Sequence, residues 1–321
     1  MPDIADDLAA VADVLRSAHS IGVVGHVGPD GDALGSMIGL ARSARLAGKQ
    51  AVASFDEPFV VPEEMSFLDV SVLVPPRDFP RDLDVAVVVD TSVRSRVGSL
   101  AGAMELAGQL AVIDHHVSDG EWGDVVAIDA TAGATTELVH ELLQLLGWPI
   151  DKEVATALYT GLVTDTGRFQ YSSTSSRTHD IASDLLARGV ETDVIGQKLF
   201  EEAPFGYYEV ASRVLGRSIL DEDHAFVWSI MEPDDLESAG IASHETDGLI
   251  DLVRMARGTE VACLLKRKQA GVIKGSLRSR GSVDVAAIAR SFDGGGHHNA
   301  AGFTSTEDPA SIIEQIVAHL S

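Results

Sequence analysis

One cysteine, Cys263, stands in 321 residues, so no intrachain disulfide and no thiolate-built zinc site can form. Cations are few: 24 Lys and Arg face 49 Asp and Glu, for a formal charge of −25. That balance excludes a protein that coats nucleic acid nonspecifically, because such affinity is built from phosphate-neutralising side chains. It leaves room for a short, highly charged nucleotide in one pocket, above all where metal ions reverse the local field. No apolar run approaches a membrane span, and VAVVVD (85–90) is typical of the longest. The opening MPDIADDLAAVADVL is acidic and helical in pattern, without the basic start and apolar core of a signal peptide. A cytoplasmic protein with no membrane partner is expected. There is no repeat of constant period, which removes solenoids and propellers.

What is present reads as α/β. Hydrophobic residues make up 45% and charged residues 23%, globular values, with the acidic excess spread along the chain. Leu8, Val11, Val14 and Leu15 predict an opening amphipathic helix. A strand at 21–25 precedes a helix over 33–46, whose small and aliphatic residues are expected to pack on a sheet. Further strands are expected at 70–74, 85–89, 111–113 and 125–128, the fully apolar ones suiting interior parallel positions. Helices follow over 134–146, closed by Gly147, and from 152 to about 160. This alternation predicts an open, mostly parallel sheet over 1–188. A helical connector is expected over 189–215, then a smaller α/β domain over 216–321 with a hairpin built from VACLLK and GVIKGSL and a last helix over 309–320. A cleft between the two domains is the expected place for a site.

Four clusters carry chemistry. GHVGPDGDALGS (25–36) places His26, Asp30 and Asp32 just past a strand and before a helix, where open α/β folds collect ligands. An imidazole and two carboxylates suit a hard or borderline divalent cation. A solvated loop with Asp32 as a helix cap is the plain alternative. Asp90 ends the VAVVV strand, AVIDHH (111–116) brings Asp114, His115 and His116 to the same edge, and GLVTDTGRF (161–169) adds Asp165. Each could be a turn or cap taken singly; together, so many crowded anions call for a countercharge. Their number exceeds the needs of one catalytic ion and suggests two that share a carboxylate. Phosphate-loop, HExxH and dinucleotide signatures are missing. In the second domain, GSLRSR (275–280) offers Ser276, Arg278 and Arg280, and FDGGGHHNAAGF (292–303) offers Gly295, Gly296, His297 and His298. Arginine and glycine-freed N–H groups can grip an anion.

In this order, HVGPDGDALGS, the Asp90 strand end, DHH and TDTG resemble the DHH phosphoesterase family, and SLRSR with GGGHHNAAGF resembles its DHHA1 domain. The resemblance implies two Mn²⁺ per subunit, with Mg²⁺ or Co²⁺ as substitutes. His26, Asp30 and Asp90 would hold one ion and Asp32, Asp90, His115 and Asp165 the other, with Asp90 as the bridge. His116 would meet the scissile phosphate, supported by Asp114; Arg278, His297, Gly295 and Gly296 would hold the substrate's other phosphate, with Ser276 and His298 beside them. It also implies a homodimer acting on short linear RNA, dinucleotides and nucleoside bisphosphates, not on long duplex nucleic acid. The implied reactions are hydrolysis of pApA-like substrates and dephosphorylation of 3′-phosphoadenosine 5′-phosphate. Cyclic dinucleotide hydrolysis, pyrophosphate hydrolysis and nonenzymatic nucleotide sensing remain as alternatives.

Overall fold

The computed structural model describes residues 4–117, 122–268 and 271–320, in two compact units, 1–202 and 203–321. In the first unit the order is α1 (Ile4–Ser17), β1 (Ser20–Val24), α2 (Gly31–Leu46), β2 (Gln50–Ser54), β3 (Val85–Val89), α3 (Ala101–Met104), β4 (Gln109–Asp114), β5 (Val125–Ile128), α4 (Thr135–Leu146), α5 (Lys152–Asp165), α6 (Ser176–Ala187) and α7 (Thr192–Gly196). The five strands form a wholly parallel sheet, β2-β1-β3-β4-β5. Both faces are covered, which is why the strands read as apolar runs. Val85, Val87 and Val89 enter the core built by α1, α2, α4 and α5. Ala86 and Val88 enter a second core with Phe79, Leu83, Val97 and Met104.

The expected strand at 70–74 is absent. Asp69 accepts the N–H of Ser71 and turns Val70–Val72 into a 3₁₀ segment, leaving one parallel bridge between Ala53 and Leu73. Hydrophobic runs of this length mark burial without fixing the backbone state. The small residues of α2 also face an unexpected partner. Gly31, Gly35 and Gly39 recur every fourth residue against α5: a Cβ on Gly35 would lie 2.3 Å from the carbonyl oxygen of Ala157, and one on Gly39 2.7 Å from Leu158. The glycine stripe brings α2 against α5, while the aliphatic residues of the same helix pack on the sheet as expected.

The second unit contains α8 (Gly206–Gly216), β6 (Ile219–Asp221), β7 (Phe226–Met231), α9 (Pro233–Ala239), α10 (Leu249–Val253), β8 (Val261–Arg267), β9 (Ile273–Ser279), α11 (Val285–Arg290), β10 (Gly295–His297), β11 (Ala300–Ser305) and α12 (Pro309–Leu320). Its mixed sheet runs β10-β11-β9-β8-β7-β6, with β7 and β8 parallel and the other pairs antiparallel. One face packs on α11 and α12, the other on α8 and α10. The residues read as a connector divide: 189–202 lie with the first unit, while 203–215 enter the second, where Val210 and Val214 of α8 join its core. The glycine-rich segment is a short strand, β10, hairpinned to β11, because Gly296 (φ 141°) lets the chain pass where a Cβ would meet the Ala300 carbonyl at 2.5 Å. No described helix is long and apolar enough to cross a membrane.

Candidate metal centre

The parallel sheet reverses its winding between β1 and β3, and ligands of such sheets gather at the carboxyl ends of those strands. His26 follows β1, Asp90 follows β3, and Asp114, His115 and His116 close or follow β4, so three neighbouring strands deliver to one edge. Asp30 and Asp32 come from the start of α2 and Asp165 from the end of α5, brought beside the edge by the glycine stripe. Asp90 is buried and left-handed (φ 60°), a conformation Asp tolerates better than most residues. Its N–H still bonds the Ile113 carbonyl at 3.0 Å, which holds the turn against β4.

Two imidazoles are oriented alike. His26 Nδ1 lies 3.0 Å from the Val27 carbonyl and His115 Nδ1 lies 3.2 Å from that of Ala132, so each Nδ1–H is donated to backbone and each Nε2 is presented to carboxylates. His26 Nε2 sits 3.4 Å from Asp90 Oδ2 and 3.8 Å from Asp30. His115 Nε2 sits 3.2 Å from Asp165, 3.7 Å from Asp32 and 3.7 Å from Asp90 Oδ1. The two oxygens of Asp90 therefore face different imidazoles. The sets His26–Asp30–Asp90, Asp32–His115–Asp165 and Asp90–His115–His116 each bring their ligand atoms within 4.8 Å of one another. Nitrogen and carboxylate donors in this arrangement fit divalent cations.

Both carboxylates of the PDGD turn also serve the backbone. Asp30, not Asp32, caps α2, accepting the N–H groups of Asp32 and Ala33. Asp32 reaches across to α4 and accepts from Thr135 N at 2.6 Å and Thr136 N at 2.9 Å. Sequence reading missed Thr135, whose hydroxyl also donates to Asp90 Oδ1 at 2.9 Å. The available signal was Ala134, an N-cap with no side chain able to satisfy the helix, which implies a cap from elsewhere. Asp114 is buried and accepts both the backbone N–H of His116 (3.1 Å) and its Nδ1–H (2.8 Å).

The electrostatics are those of excess negative charge. Burial, then the charges of Asp32 and Asp30, push Asp90 and Asp165 well above the ordinary carboxylate range. Burial opposes charge on His26, but its bonds to Asp30 and Asp90 prevail and raise it to about 10. All three shifts favour the proton-bound folded state, so the stability they confer is lost as pH rises through the raised values. Asp30 and Asp114, held down despite desolvation by His26 and His116, act only below the usual carboxylate range. The melting temperature of metal-free protein should therefore fall from pH 6.5 to about 10, and His26→Asn should flatten that fall. A melting temperature constant or rising over this interval contradicts the assignment.

In the second unit, Ser276 and Arg278 alternate along β9 and share one face of the sheet. Gly295 is exposed and a Cβ there would meet nothing, whereas Gly294 and Gly296 are demanded by the hairpin. His298 is tied into the turn: its Nε2 lies 3.2 Å from the Gly281 carbonyl and its own carbonyl accepts from Val285 N. The side chain of His297 lies outside the described residues.

Comparison with known proteins gives these features a lineage. Residues 20–162 match the DHH family N-terminal domain and residues 226–321 the DHHA1 domain. A bifunctional oligoribonuclease and PAP phosphatase of Thermus thermophilus is 32% identical over 303 residues, covering 93% of this chain and 88% of that protein. A cyclic-di-AMP phosphodiesterase of Bacillus subtilis is 28% identical over 338 residues, covering 96% of this chain and 48% of its own length. The crystal structure of an exopolyphosphatase-related protein from Bacteroides fragilis shares the fold, with a TM-score of 0.90 at 24% identity over 98% of this chain and 96% of that one. With both domains matched in order over a metal-suited acidic centre, the chain belongs to the DHH family of phosphoesterases in its DHH–DHHA1 form.

Proposed function

We propose that the enzyme hydrolyses very short oligoribonucleotides such as pApA to mononucleotides and converts 3′-phosphoadenosine 5′-phosphate to AMP. The observation that carries this reading is Asp90, with Oδ2 toward His26 and Oδ1 toward His115, each imidazole already oriented by a backbone carbonyl. It supports two cations sharing Asp90, one held with His26 and Asp30, the other with Asp32, His115 and Asp165. We assign Mn²⁺ on the mixed nitrogen and oxygen donors, with Mg²⁺ or Co²⁺ able to substitute. When bound, the pair supplies charge for the phosphoryl oxygens and lowers the pKa of water in the site. Asp114 accepts the Nδ1–H of His116, which leaves Nε2 as the ring's acceptor and supports the doubly protonated ring, so that Nε2 can take up a proton and hold it against a phosphoryl or leaving oxygen. Arg278, Ser276, Gly295, Gly296, His297 and His298 are assigned to the substrate's other phosphate, whose binding aligns the reacting one. A homodimer in the cytoplasm completes the reading.

The relatives named as cyclic-di-AMP phosphodiesterases favour a second reading, in which the substrate is a cyclic dinucleotide. A panel at fixed Mn²⁺ separates them: pAp, pApA, 5′-phosphorylated RNAs of three to five nucleotides, cyclic di-AMP and pyrophosphate. Each added nucleotide brings charge that a chain of −25 repels, so kcat/KM should fall from two nucleotides to five. Cyclic di-AMP, lacking a terminal phosphate, should react more slowly than its linear product, and pyrophosphate barely at all. A flat length profile, or a ring cleaved faster than linear pApA, rules the first reading out.

A further inference from the structure

The segment between β5 and α4 supplies hydrogen bonds to three residues of the metal centre. The Ala132 carbonyl accepts from His115 Nδ1 at 3.2 Å, and the N–H groups of Thr135 and Thr136 bond Asp32 at 2.6 and 2.9 Å. The Thr135 hydroxyl adds its bond to Asp90 Oδ1 at 2.9 Å. Residues 129–134 belong to no helix or strand, so their geometry depends on ties made by side chains. Arg177, the second residue of α6, ties both ends. Its Nη1 donates to Asp129 Oδ2 at 2.7 Å, where the segment begins, while Nε and Nη2 grip Glu141 of α4 in a fork at 2.6 and 2.7 Å. Asp129 in turn shapes the segment, its Oδ1 accepting from the N–H and hydroxyl of Thr131 at 2.9 and 2.6 Å. Beside Arg177, Thr178 donates its hydroxyl to Glu137 Oε1 at 2.6 Å. That oxygen sits so close to Gly133 that a Cβ there would lie 2.7 Å from it. Arg177 Nε also stands 3.7 Å from the buried Oε2 of Glu137. The partners of Arg177 are thus Asp129, Glu137 and Glu141, none of them a residue of the metal centre.

We propose that Arg177 is a positioning residue for the metal centre: by bridging Asp129 to α4 it fixes residues 129–136, and with them the directions in which His115, Asp32 and Asp90 present their ligand atoms. The proposal rests on the cation sites proposed above and holds for whichever substrate they act on. Groups that hydrogen-bond to metal ligands set the orientation of those ligands, and their loss costs about 10–100-fold in metal affinity. Ala132, Thr135 and Thr136 are such groups here, and Arg177 acts through them. The task suits a guanidinium. A lysine would keep the charge among Asp129, Glu137 and Glu141, but a single ammonium cannot fork Glu141 and reach Asp129 as well. An arginine that only stabilised the fold would affect the melting temperature and leave the metal affinity of folded protein alone.

Two conservative variants of the full chain break the bridge from its two sides. R177K keeps the charge, and D129N keeps an acceptor for Thr131 while giving up the ion pair, so the result does not hang on one variant folding well. Hydrogen exchange in metal-free protein reads the positioning itself. Amide protection over 129–136 should fall about tenfold in either variant, and little further in the double variant because both act on one bridge. Calorimetric titration with Mn²⁺ well below the melting temperature should show affinity weakened about tenfold, the low end of the range because Arg177 works through other groups. With pApA, kcat should fall while KM moves little, and excess Mn²⁺ should recover part of kcat. R42K is the control: Arg42 ties Asp69, Asp151 and Glu153, none of them in this segment, so it should lower the melting temperature and leave both exchange over 129–136 and Mn²⁺ affinity as in wild type. R177K and D129N proteins that match wild type in exchange over 129–136 and in Mn²⁺ affinity overturn the proposal. Wild-type protein that binds no Mn²⁺ overturns the cation sites instead, and exchange over 129–136 still decides whether Arg177 fixes the segment.

Discussion

Asp90→Asn is expected to lower kcat/KM for pApA on the order of a thousandfold or more, the scale of losing a group that acts as part of a unit, while raising the melting temperature of the metal-free protein. The two effects share one cause. Asp90 is buried beside Asp32 and close to Asp30, so its charge opposes folding until a cation enters. Asparagine keeps the shape, tolerates the left-handed backbone at φ 60° and can still accept from the Thr135 hydroxyl, but it relieves the repulsion. Asp90→Ala adds a conformational cost on the order of 1 kcal/mol and leaves Thr135 without its acceptor, so it should melt below the asparagine variant. Comparing both variants by thermal melting in chelator and by turnover in Mn²⁺ checks the pair of expectations. An asparagine variant that is both active and no more stable than wild type would falsify the assignment.

Gly35→Ala should lower stability, the opposite of what the same change does in an open helix. There, alanine gains about 1 kcal/mol over glycine. At Gly35 the added Cβ would lie 2.3 Å from the Ala157 carbonyl oxygen and 3.2 Å from Gly161 N, both backbone atoms, so α2 and α5 must separate. Overpacking of this kind costs about 1–3 kcal/mol and occasionally more, so the steric term dominates, with a fall of several degrees in melting temperature. Asp32 rides on α2 and Asp165 on α5, so separation also spreads the carboxylates proposed to hold metal, and activity should fall at temperatures where the variant remains folded. Gly102→Ala is the control: its Cβ would meet nothing in α3, and stability should hold or rise.

The fold was legible where one physical signal dominated. The apolar run at 85–89 is a fully buried strand because two-sided burial needs continuous hydrophobicity, the run at 125–128 forms the half-buried edge strand, and the helix ending at Gly147 closes in a left-handed cap. Reading failed where a local hydrogen bond or a distant partner decided. Asp69 turned a valine-rich run into a 3₁₀ segment, and a glycine stripe said that something came close without saying what. The site residues were visible as strand ends rich in Asp and His, and the structure gathers His26, Asp30, Asp32, Asp90, His115, His116 and Asp165 at one edge. Thr135 escaped notice because its meaning lies in a contact across 45 residues.

Whether these residues hold two cations sharing Asp90 is tested most directly by returning metal to stripped protein. Chelator-treated enzyme is titrated with Mn²⁺ while bound metal and pApA turnover are measured in the same samples, for wild type and for Asp90→Asn. Wild-type turnover should be absent at zero metal, rise most steeply as the second equivalent binds, and level at two per chain. Asp90→Asn should fail to hold two and stay inactive. Turnover in metal-free protein, or full turnover with a single bound ion, would contradict the shared-carboxylate pair.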